Sequence, residues 1–243
     1  MRKHLFLVFI FFVLAGFSSC KRNVLKGAGS KNTTAPSVAS FSAIDMSLPL
    51  KASITVQEGA TSSVQLEGYE NIIKHIRAKV ENNTLHLNTD LDETWTLDNK
   101  DIKVTITVPL LTALSLSGTC DADIHGNIIG KSFQLSNSGT SNVIIDNTNT
   151  DDFSAQISGV CDLTVKGGSA KNASYSISGA GTIKSFPLQA DVTTATISGA
   201  GKTEVTALQK LTAKVDGAGT VKYKGHPQIT KEVSGVGAVS DAN

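Results

Sequence analysis

Aromatic residues are scarce in this chain, making up 5% of its 243 residues, and tryptophan occurs only once. Neither sign of charge dominates, since 22 Lys and Arg stand against 21 Asp and Glu, so nothing in the composition points to a nucleic-acid partner. No apolar run reaches the roughly 20 residues of a membrane-spanning helix. Apolar residues still form 40% of the chain, which excludes a disordered protein, and plentiful Gly, Ser, Thr and Val favour short strands over packed helices.

The N-terminus has the layout of a secretory signal. Two basic residues precede an apolar run over residues 5–17, and the segment Phe17-Ser18-Ser19-Cys20 follows. This segment resembles a bacterial lipobox, in which the cysteine is lipidated and becomes the new N-terminus, although Phe stands where Leu is most common. We predict a lipoprotein-type signal peptide over residues 1–19 and lipidation at Cys20. A plain secretory signal with an incidental cysteine is the alternative.

The signal is followed by a segment without apolar periodicity, residues 20–37, which is rich in Gly, Ser, Thr and Asn. This composition is typical of a flexible linker. A linker of this length would reach roughly 20–25 Å on average. We therefore predict a tether over 20–37, which would hold a folded domain over residues 38–240 away from a membrane.

A Ser-Gly motif recurs between residues 110 and 240. The letters ISGAG occur at Ile177–Gly181 and again at Ile197–Gly201. Seven glycines mark the related copies at intervals of 18 to 21 residues: Gly118, Gly139, Gly159, Gly179, Gly199, Gly217 and Gly235. Two residues before each glycine and four after it, the side chains are mostly apolar and β-branched between polar neighbours, which is the pattern of half-buried strands. Each glycine is predicted to mark a tight corner where a side chain would obstruct the turn or the next coil.

A repeat near 20 residues with short strands is typical of a solenoid, in which one repeat forms one coil. We predict an all-β protein, a right-handed single-stranded parallel β-helix. An antiparallel sandwich is the main alternative, but it does not explain the constant spacing. Leucine-rich repeat proteins have a similar repeat length, but the asparagine and leucine pattern of their repeats is absent from this sequence.

The two ends of the predicted domain differ. Residues 38–109 contain strand-like segments outside the register, so we predict that they form less regular first coils and a cap. Residues 110–240 are predicted to form the regular coils. The tail Ser240–Asn243 is too short to cover the last coil well, which would leave that coil mobile or covered by a partner.

The order of these features resembles a known family. A lipoprotein-like signal is followed by a strand-rich stretch ending in VTITVPLLTALSLSG, and then by corners of the form SG-x-G or SG-x-C. Over about residues 40–240 the chain is similar to the "putative auto-transporter adhesin, head GIN domain" family of Gram-negative envelope proteins. The resemblance implies a β-helix and an adhesin-like role, and it implies no catalytic residue.

Two cysteines occupy the same position of the repeat, two residues after a corner glycine. Cys120 and Cys161 belong to coils separated by the coil of Ser141. At about 4.8 Å per coil their Cα atoms would lie roughly 9–10 Å apart, whereas a disulfide needs about 4.4–6.8 Å. We therefore predict two unpaired thiols packed as small residues.

The candidate ligand-binding positions are the acidic residues Asp121, Asp123 and Asp162. Asp121 and Asp162 fall in one outward column, with Asn142 between them and no basic residue beside them. The distance between two such carboxylates would be acceptable for an inverting glycosidase, so this alternative stays open. A second acidic group could ligate calcium, and Asp90 and Asp92 are its first candidates, although Trp95 stands where an EF-hand loop needs glycine and the glycine-rich nonapeptide of calcium-binding β-rolls is absent. That group comprises Asp90, Asp92, Glu93, Asp98 and Asp101. A solvated loop is the more ordinary interpretation, and we predict no metal and no cofactor.

The remaining polar and aromatic candidates are scattered. The histidines outside the signal, His75, His86, His125 and His226, show no metal-ligand spacing. Trp95 and the three tyrosines could stack on sugars, but scattered aromatics are more often packing residues. Those tyrosines are Tyr69, Tyr175 and Tyr223.

The sequence therefore favours a non-catalytic, lipid-anchored protein of the cell envelope. Such a protein would bind its partners through long polar faces rather than in a pocket. Such faces suit adhesin-like binding of glycans, cell surfaces or envelope polymers through many weak contacts. One alternative is a periplasmic scaffold that self-associates through its coil ends. A second alternative is a carbohydrate-active β-helix enzyme. An outer-membrane location is predicted, with the surface and periplasmic sides left open.

Overall fold

The structure is a computed structural model that describes residues 23–92, 95–98 and 102–243. It is nearly all strand and contains a β-solenoid of about six turns. The predicted signal peptide and Cys20 lie outside the described residues, as do Glu93 and Asp101. One short helix, α1 at Glu70–Ile73, occurs in the described part of the chain. None of its described helices is long and apolar enough to cross a membrane.

Ten strands form the regular coils: β10 Ala113–Leu116, β11 Thr119–Asn137, β12 Thr140–Ile157, β13 Val160–Val165, β14 Gly168–Ile177, β15 Ala180–Ile197, β16 Ala200–Val215, β17 Ala218–Lys224, β18 Gln228–Val233 and β19 Val236–Asp241. Each pairs with the next coil in parallel. Ile157 lies opposite Ile177, which lies opposite Ile197. The predicted parallel β-helix and its column register are confirmed, because equivalent apolar residues stack on one another and are buried together.

The corner glycines are required by the closeness of the neighbouring coil. A Cβ atom on Gly179 would lie 2.0 Å from the carbonyl oxygen of Gly159, and one on Gly199 would lie 2.0 Å from that of Gly179. No real Cβ atom approaches a carbonyl oxygen this closely. The repeated Ser-Gly motif is therefore explained by stacking, since any side chain at the corner would push two coils apart.

Residues before Pro109 extend the solenoid by parallel pairing, and antiparallel pairs then end it. The strands of this region are β3 Ala43–Met46, β4 Leu50–Val56, β5 Ser63–Tyr69, β6 Ile76–Glu81, β7 Thr84–Thr89, β8 Trp95–Leu97 and β9 Lys103–Val108. Strand β10 pairs in parallel with β3, which pairs in parallel with β7. In the same way β11 pairs with β4, which pairs with β9. Antiparallel β6 then pairs with β7, and antiparallel β5 pairs with β9. Ile72 and Ile73 of α1 are buried in the same core.

The segment predicted as a flexible tether is in part structured. It contains β1 Asn23–Leu25, which pairs with β8, and β2 Lys31–Thr34, which pairs with β5. The Asn71 side chain holds the stretch between them, accepting from the backbone N–H of Ala28 and donating to the carbonyl of Lys26, each at 2.9 Å. The linker prediction was wrong for these residues because strand pairing uses backbone groups and needs no apolar pattern.

The C-terminal end of the solenoid is open within the described residues. All six residues of β18 are exposed, and Val236 of β19 is 86% exposed. Asn243 fastens the last coil to the coil before it. Its side chain accepts from the backbone N–H of Gly225 and donates to the Gly225 carbonyl, both at 2.9 Å.

Candidate functional site

The predicted column of acidic residues has the register expected for it. Asp121 lies opposite Asn142, which lies opposite Asp162, and both carboxylates are exposed. Lys51 of β4 lies opposite Asp121 on the other side, so the prediction that this column has no basic companion was wrong. The lysine was missed because β4 lies outside the repeat. Two carboxylates separated by a full coil, one beside a lysine, form a mixed-charge surface.

Asp123 does not join that column. It lies two residues further along β11, opposite Ser53 on one side and Ile144 on the other. The structure therefore brings Asp121 and Asp162 into one row and leaves Asp123 in the next row. No group of three or more metal-ligating side chains occurs among the described residues.

Asp90, the first candidate for calcium binding, already has two partners. One carboxylate oxygen lies 2.8 Å from His75 Nδ1, and the other accepts a hydrogen bond from Arg77. The hydrogen bond from His75 is the main reason that the pKa of Asp90 lies below its usual value, and the Arg77 charge adds to it. Asp92 and Asp98 have partners of their own as well.

Histidine and aspartate pair repeatedly on the surface, which the sequence patterns did not reveal. His86 Nδ1 lies 3.1 Å from Asp45, and His125 Nδ1 lies 3.1 Å from Asp146. Lys166 also donates to Asp146, at 2.9 Å, and is the main cause of the lowered pKa of that carboxyl. The separation of 21 residues between His125 and Asp146 is the coil spacing, and this was the available signal.

The two thiols are buried and unpaired, as predicted. Cys120 lies opposite Ser141, which lies opposite Cys161, so one coil separates the sulfur atoms. Burial raises the pKa of the Cys120 thiol to about 12, and burial also raises the pKa of Cys161. A nucleophilic or metal-binding cysteine needs an accessible thiolate, and these side chains have the opposite environment.

The tyrosines pack against the core. Tyr175 is buried, and its hydroxyl lies 2.8 Å from Ser185 Oγ. Its ring centroid lies 5.7 Å from that of Phe153, which lies 5.9 Å from that of Phe133. Tyr69 and Tyr223 are half-buried against the same core. Trp95 is exposed, at the edge of the small two-stranded sheet. These rings form no shared platform for a sugar.

One face of the solenoid is polar, and two adjacent columns of it carry no charge across four coils. Its outward side chains come from β11, β12, β14 and β15 in two columns that follow the strand register. We call this surface the hydroxyl face, and its members are Gln134, Ser154, Ser174, Thr194, Ser136, Gln156, Ser176 and Thr196. Equivalent groups repeat at about 4.8 Å between coils and about 6.7 Å along a strand. The face offers a regular array of hydrogen-bond donors and acceptors.

A shallow trough of about 630 Å³ runs across the same coils at a different side of the molecule. We call it the lateral trough. Its floor consists of Gly130, Thr150 and Ala170, and one side carries Ile129, Asn149, Ser169 and Gln189. That side is ordered by amide hydrogen bonds: Asn149 donates to Asn127 at 3.0 Å and accepts from Ser169 at 2.9 Å.

The other side of the lateral trough carries charges of alternating sign. We call Lys131, Asp151, Lys171 and Asp191 the charge ladder; each follows the floor position of its own coil. Lys171 Nζ lies 2.8 Å from Asp151 Oδ1, and Asp151 is the main cause of the raised pKa of Lys171. The ladder was missed in the sequence, although its members recur every 20 residues.

An apolar pocket of about 380 Å³ adjoins one end of the lateral trough, and Leu208 lies at the other end. Ile129 lines both cavities. The pocket is otherwise lined by Val56, Glu58, Pro109, Leu110 and Asn127. Large apolar side chains are solvent-exposed at both ends, with Leu110 40%, Ile129 55% and Leu208 46% exposed.

Known proteins share this architecture. Residues 40–227 match the family model described as "Putative auto-transporter adhesin, head GIN domain". The chain belongs to this family. The family resemblance drawn from the repeat is thereby confirmed, and the β-helix described above is the GIN-domain fold of this chain. Among curated proteins, none is similar in sequence.

Solved structures agree with the family assignment. A crystal structure of a "putative adhesin" from Bacteroides fragilis is similar with a TM-score of 0.85 and 28% identity, covering 90% of this chain and 100% of the other. A "putative adhesin" from Parabacteroides merdae shares the fold at 20% identity and a TM-score of 0.71, covering 91% of this chain and 100% of the other. A "putative lipid binding protein" from Parabacteroides distasonis shares it at 21% identity and a TM-score of 0.70, with the same coverage.

Proposed function

We propose that this GIN-domain chain is a lipid-anchored protein of the cell envelope that acts as a non-catalytic, adhesin-like binding module for neutral glycans or other envelope polymers. The hydroxyl face carries this proposal. It presents two uncharged hydroxyl or amide side chains on each of four coils, so an extended polymer could make one weak contact per coil. The family and the Bacteroides fragilis relative support the adhesin-like role.

The titratable groups support binding over catalysis. Burial raises the thiol pKa values of Cys120 and Cys161, while hydrogen bonds lower those of Asp90 and Asp146. Both directions lead away from neutral pH, where an acid or base catalyst needs its pKa. The Asp121 and Asp162 column lies on an open sheet face next to Lys51. These environments favour a surface that holds polymers without cleaving them.

Binding is tested with immobilised neutral polysaccharides and a variant of the hydroxyl face. Ser174→Glu with Thr194→Glu places two carboxylates in adjacent coils of one column, and we expect retention on the polysaccharide to fall by about tenfold or more. The matched control is Thr119→Glu with Thr140→Glu, which places two carboxylates in adjacent coils at exposed positions outside the hydroxyl face. Equal retention of both variants, or reducing ends released by the parent chain, would overturn the proposal.

The envelope location has its own test. Intact and lysed cells carrying the parent chain or Cys20→Ser are treated with protease, and residues 40–243 are detected. We expect cleavage on intact cells and release of the domain by Cys20→Ser. Protection until the outer membrane is broken would contradict surface adhesion and would favour the periplasmic scaffold, for which the exposed β18 and β19 offer an open strand edge.

A further inference from the structure

We propose that a second copy of this chain binds the lateral trough, forming a twofold-symmetric dimer in which the charge ladders of the two copies face each other in opposite directions. This inference is independent of glycan binding, because the lateral trough and the hydroxyl face are formed by different residues. It rests on two features of the trough that require the same symmetry axis.

The first feature is the order of charges along the ladder. Read along the solenoid, the signs are positive, negative, positive and negative at Lys131, Asp151, Lys171 and Asp191. A twofold axis between the second and third members reverses this order in the partner. Lys131 then faces Asp191 of the other copy, and Asp151 faces Lys171. Every charge meets its opposite, which is the self-complementarity that a twofold interface needs.

The two ends of the ladder carry charges that form no close ion pair among the described residues. The inner pair, Asp151 and Lys171, already forms an ion pair within the chain. Among the described residues, neither Lys131 nor Asp191 makes a salt bridge within 4 Å. They are three coils apart, about 14 Å along the axis, so they cannot reach each other in one chain. The proposed axis brings each within reach of the opposite charge on the other copy.

The second feature is the placement of exposed apolar groups. Leu208 lies one coil beyond Asp191, and the apolar pocket with Leu110 lies one coil before Lys131. The axis that pairs the charges exchanges these two positions. Leu208 of each copy therefore reaches the apolar pocket of the other, where Val56, Pro109 and Leu110 receive it. Removing these exposed side chains from water adds a hydrophobic contribution at both ends of the interface.

The shape of the trough agrees with this arrangement. Its floor is built from a glycine, a threonine and an alanine, which leaves room for the ladder of the partner to lie inside it. The partner's charges would then also meet the amide and hydroxyl groups of Asn149, Ser169 and Gln189. Twelve residues line the trough, fewer than the roughly 20–30 per side of a standard interface. We therefore expect a dimer that dissociates on dilution.

Charge reversal tests the axis directly. The chain carrying Cys20→Ser is studied without detergent by sedimentation velocity over about 1 µM to 1 mM. Lys131→Glu places two carboxylates opposite each other, and Asp191→Lys places two ammonium groups opposite each other. Each single variant repeats the mismatch twice by symmetry, so we expect the dimer Kd to rise about tenfold or more. The double variant restores opposite charges and should return to within about threefold of the parent Kd.

Matched controls carry the same change in net charge elsewhere. Lys184→Glu and Glu67→Lys are at exposed positions outside the trough and should leave the Kd unchanged. For the apolar contact, Leu208→Ser should weaken the dimer at high salt as well as at low salt. Val160→Ser replaces another exposed apolar side chain, outside the trough, and should leave the dimer Kd unchanged. A parent chain that stays monomeric over the whole range overturns the proposal. A folded double variant that is no tighter than either single variant overturns the proposed axis.

Discussion

The side-chain amide of Asn137 donates a hydrogen bond to the hydroxyl of Ser141 inside the core of the β-helix. Asn137 occupies the column that holds Leu116 and Ile157 in the neighbouring coils, and it is buried with them. Its Oδ1 atom has no hydrogen-bond partner among the described residues. A buried acceptor without a partner costs free energy of folding.

Asn137→Val is therefore expected to stabilise the protein. Valine restores the apolar column with little change in volume, and we expect the free energy of unfolding to rise by about 1 kcal/mol. Urea unfolding followed by circular dichroism measures the change. Ile157→Asn, the reverse change one coil later, is the control and should destabilise the protein. A loss of stability in Asn137→Val would show that Asn137 and Ser141 contribute more as a pair than the unpaired oxygen costs.

The corner glycines lead to a second prediction. Gly179→Ala forces a Cβ atom against the carbonyl oxygen of Gly159, 2.0 Å away before any adjustment. Two coils must separate, so we expect a loss of about 1–3 kcal/mol in the free energy of unfolding.

Gly167→Ala is the matched control for this corner. The nearest atom to its added Cβ is the movable side-chain oxygen of Asn147 at 3.0 Å, and the expected loss is below about 1 kcal/mol. Equal losses for Gly167→Ala and Gly179→Ala in urea unfolding would contradict the stacking explanation of the motif.

The buried thiols predict a dependence of stability on alkaline pH. Folding raises the pKa of Cys120 from 9.0 to about 12, so the native state favours the protonated thiol. This contribution is fully present below about pH 9 and is lost as the pH rises toward about 12. The free energy of unfolding should fall by up to about 1.4 kcal/mol per pH unit in that window.

Cys120→Ala should unfold with a shallower dependence on pH over the same window. Chemical reactivity gives an independent check, because neither Cys120 nor Cys161 should react with a thiol reagent until the protein is unfolded. Identical pH slopes for the parent and Cys120→Ala would contradict the raised pKa. Rapid labelling of the native state would contradict the burial of the thiols.

The docked N-terminal segment gives a fourth prediction. Asn71→Ala removes both hydrogen bonds that hold the stretch between β1 and β2. We expect trypsin to cut after Lys26 and Lys31 several-fold faster, because cleavage follows local opening. Asn88→Ala, at an exposed asparagine of β7, should leave the cleavage rate unchanged. If both variants are cut equally fast, Asn71 does not hold the segment.

The regular coils could be predicted because one physical requirement repeats along the chain. Each coil must place an apolar residue over the last one and bring its backbone close at the corner, so residues such as Ile177 and Gly179 recur at a fixed interval. The unpaired state of Cys120 and Cys161 followed from the same register. These predictions used stacking alone, which depends on side-chain type at constant spacing.

The remaining features depend on contacts that leave no apolar pattern. The docking of β2 on β5 uses backbone hydrogen bonds, and the lysine beside Asp121 comes from β4, outside the repeat. The lateral trough lies where each coil returns, and its side chains differ from coil to coil. The charges of Lys131, Asp151, Lys171 and Asp191 recur at the coil spacing, and a search for periodic charge would have found them.

The identical stacking of successive coils also sets how the length of this molecule can change. An in-frame duplication of one whole coil, such as residues 160–179, preserves every column and corner and adds about 4.8 Å of height. An insertion of one or two residues within a strand instead shifts all later residues of that coil off their columns. Duplication or deletion in the gene can therefore lengthen or shorten the solenoid only in steps of one whole coil.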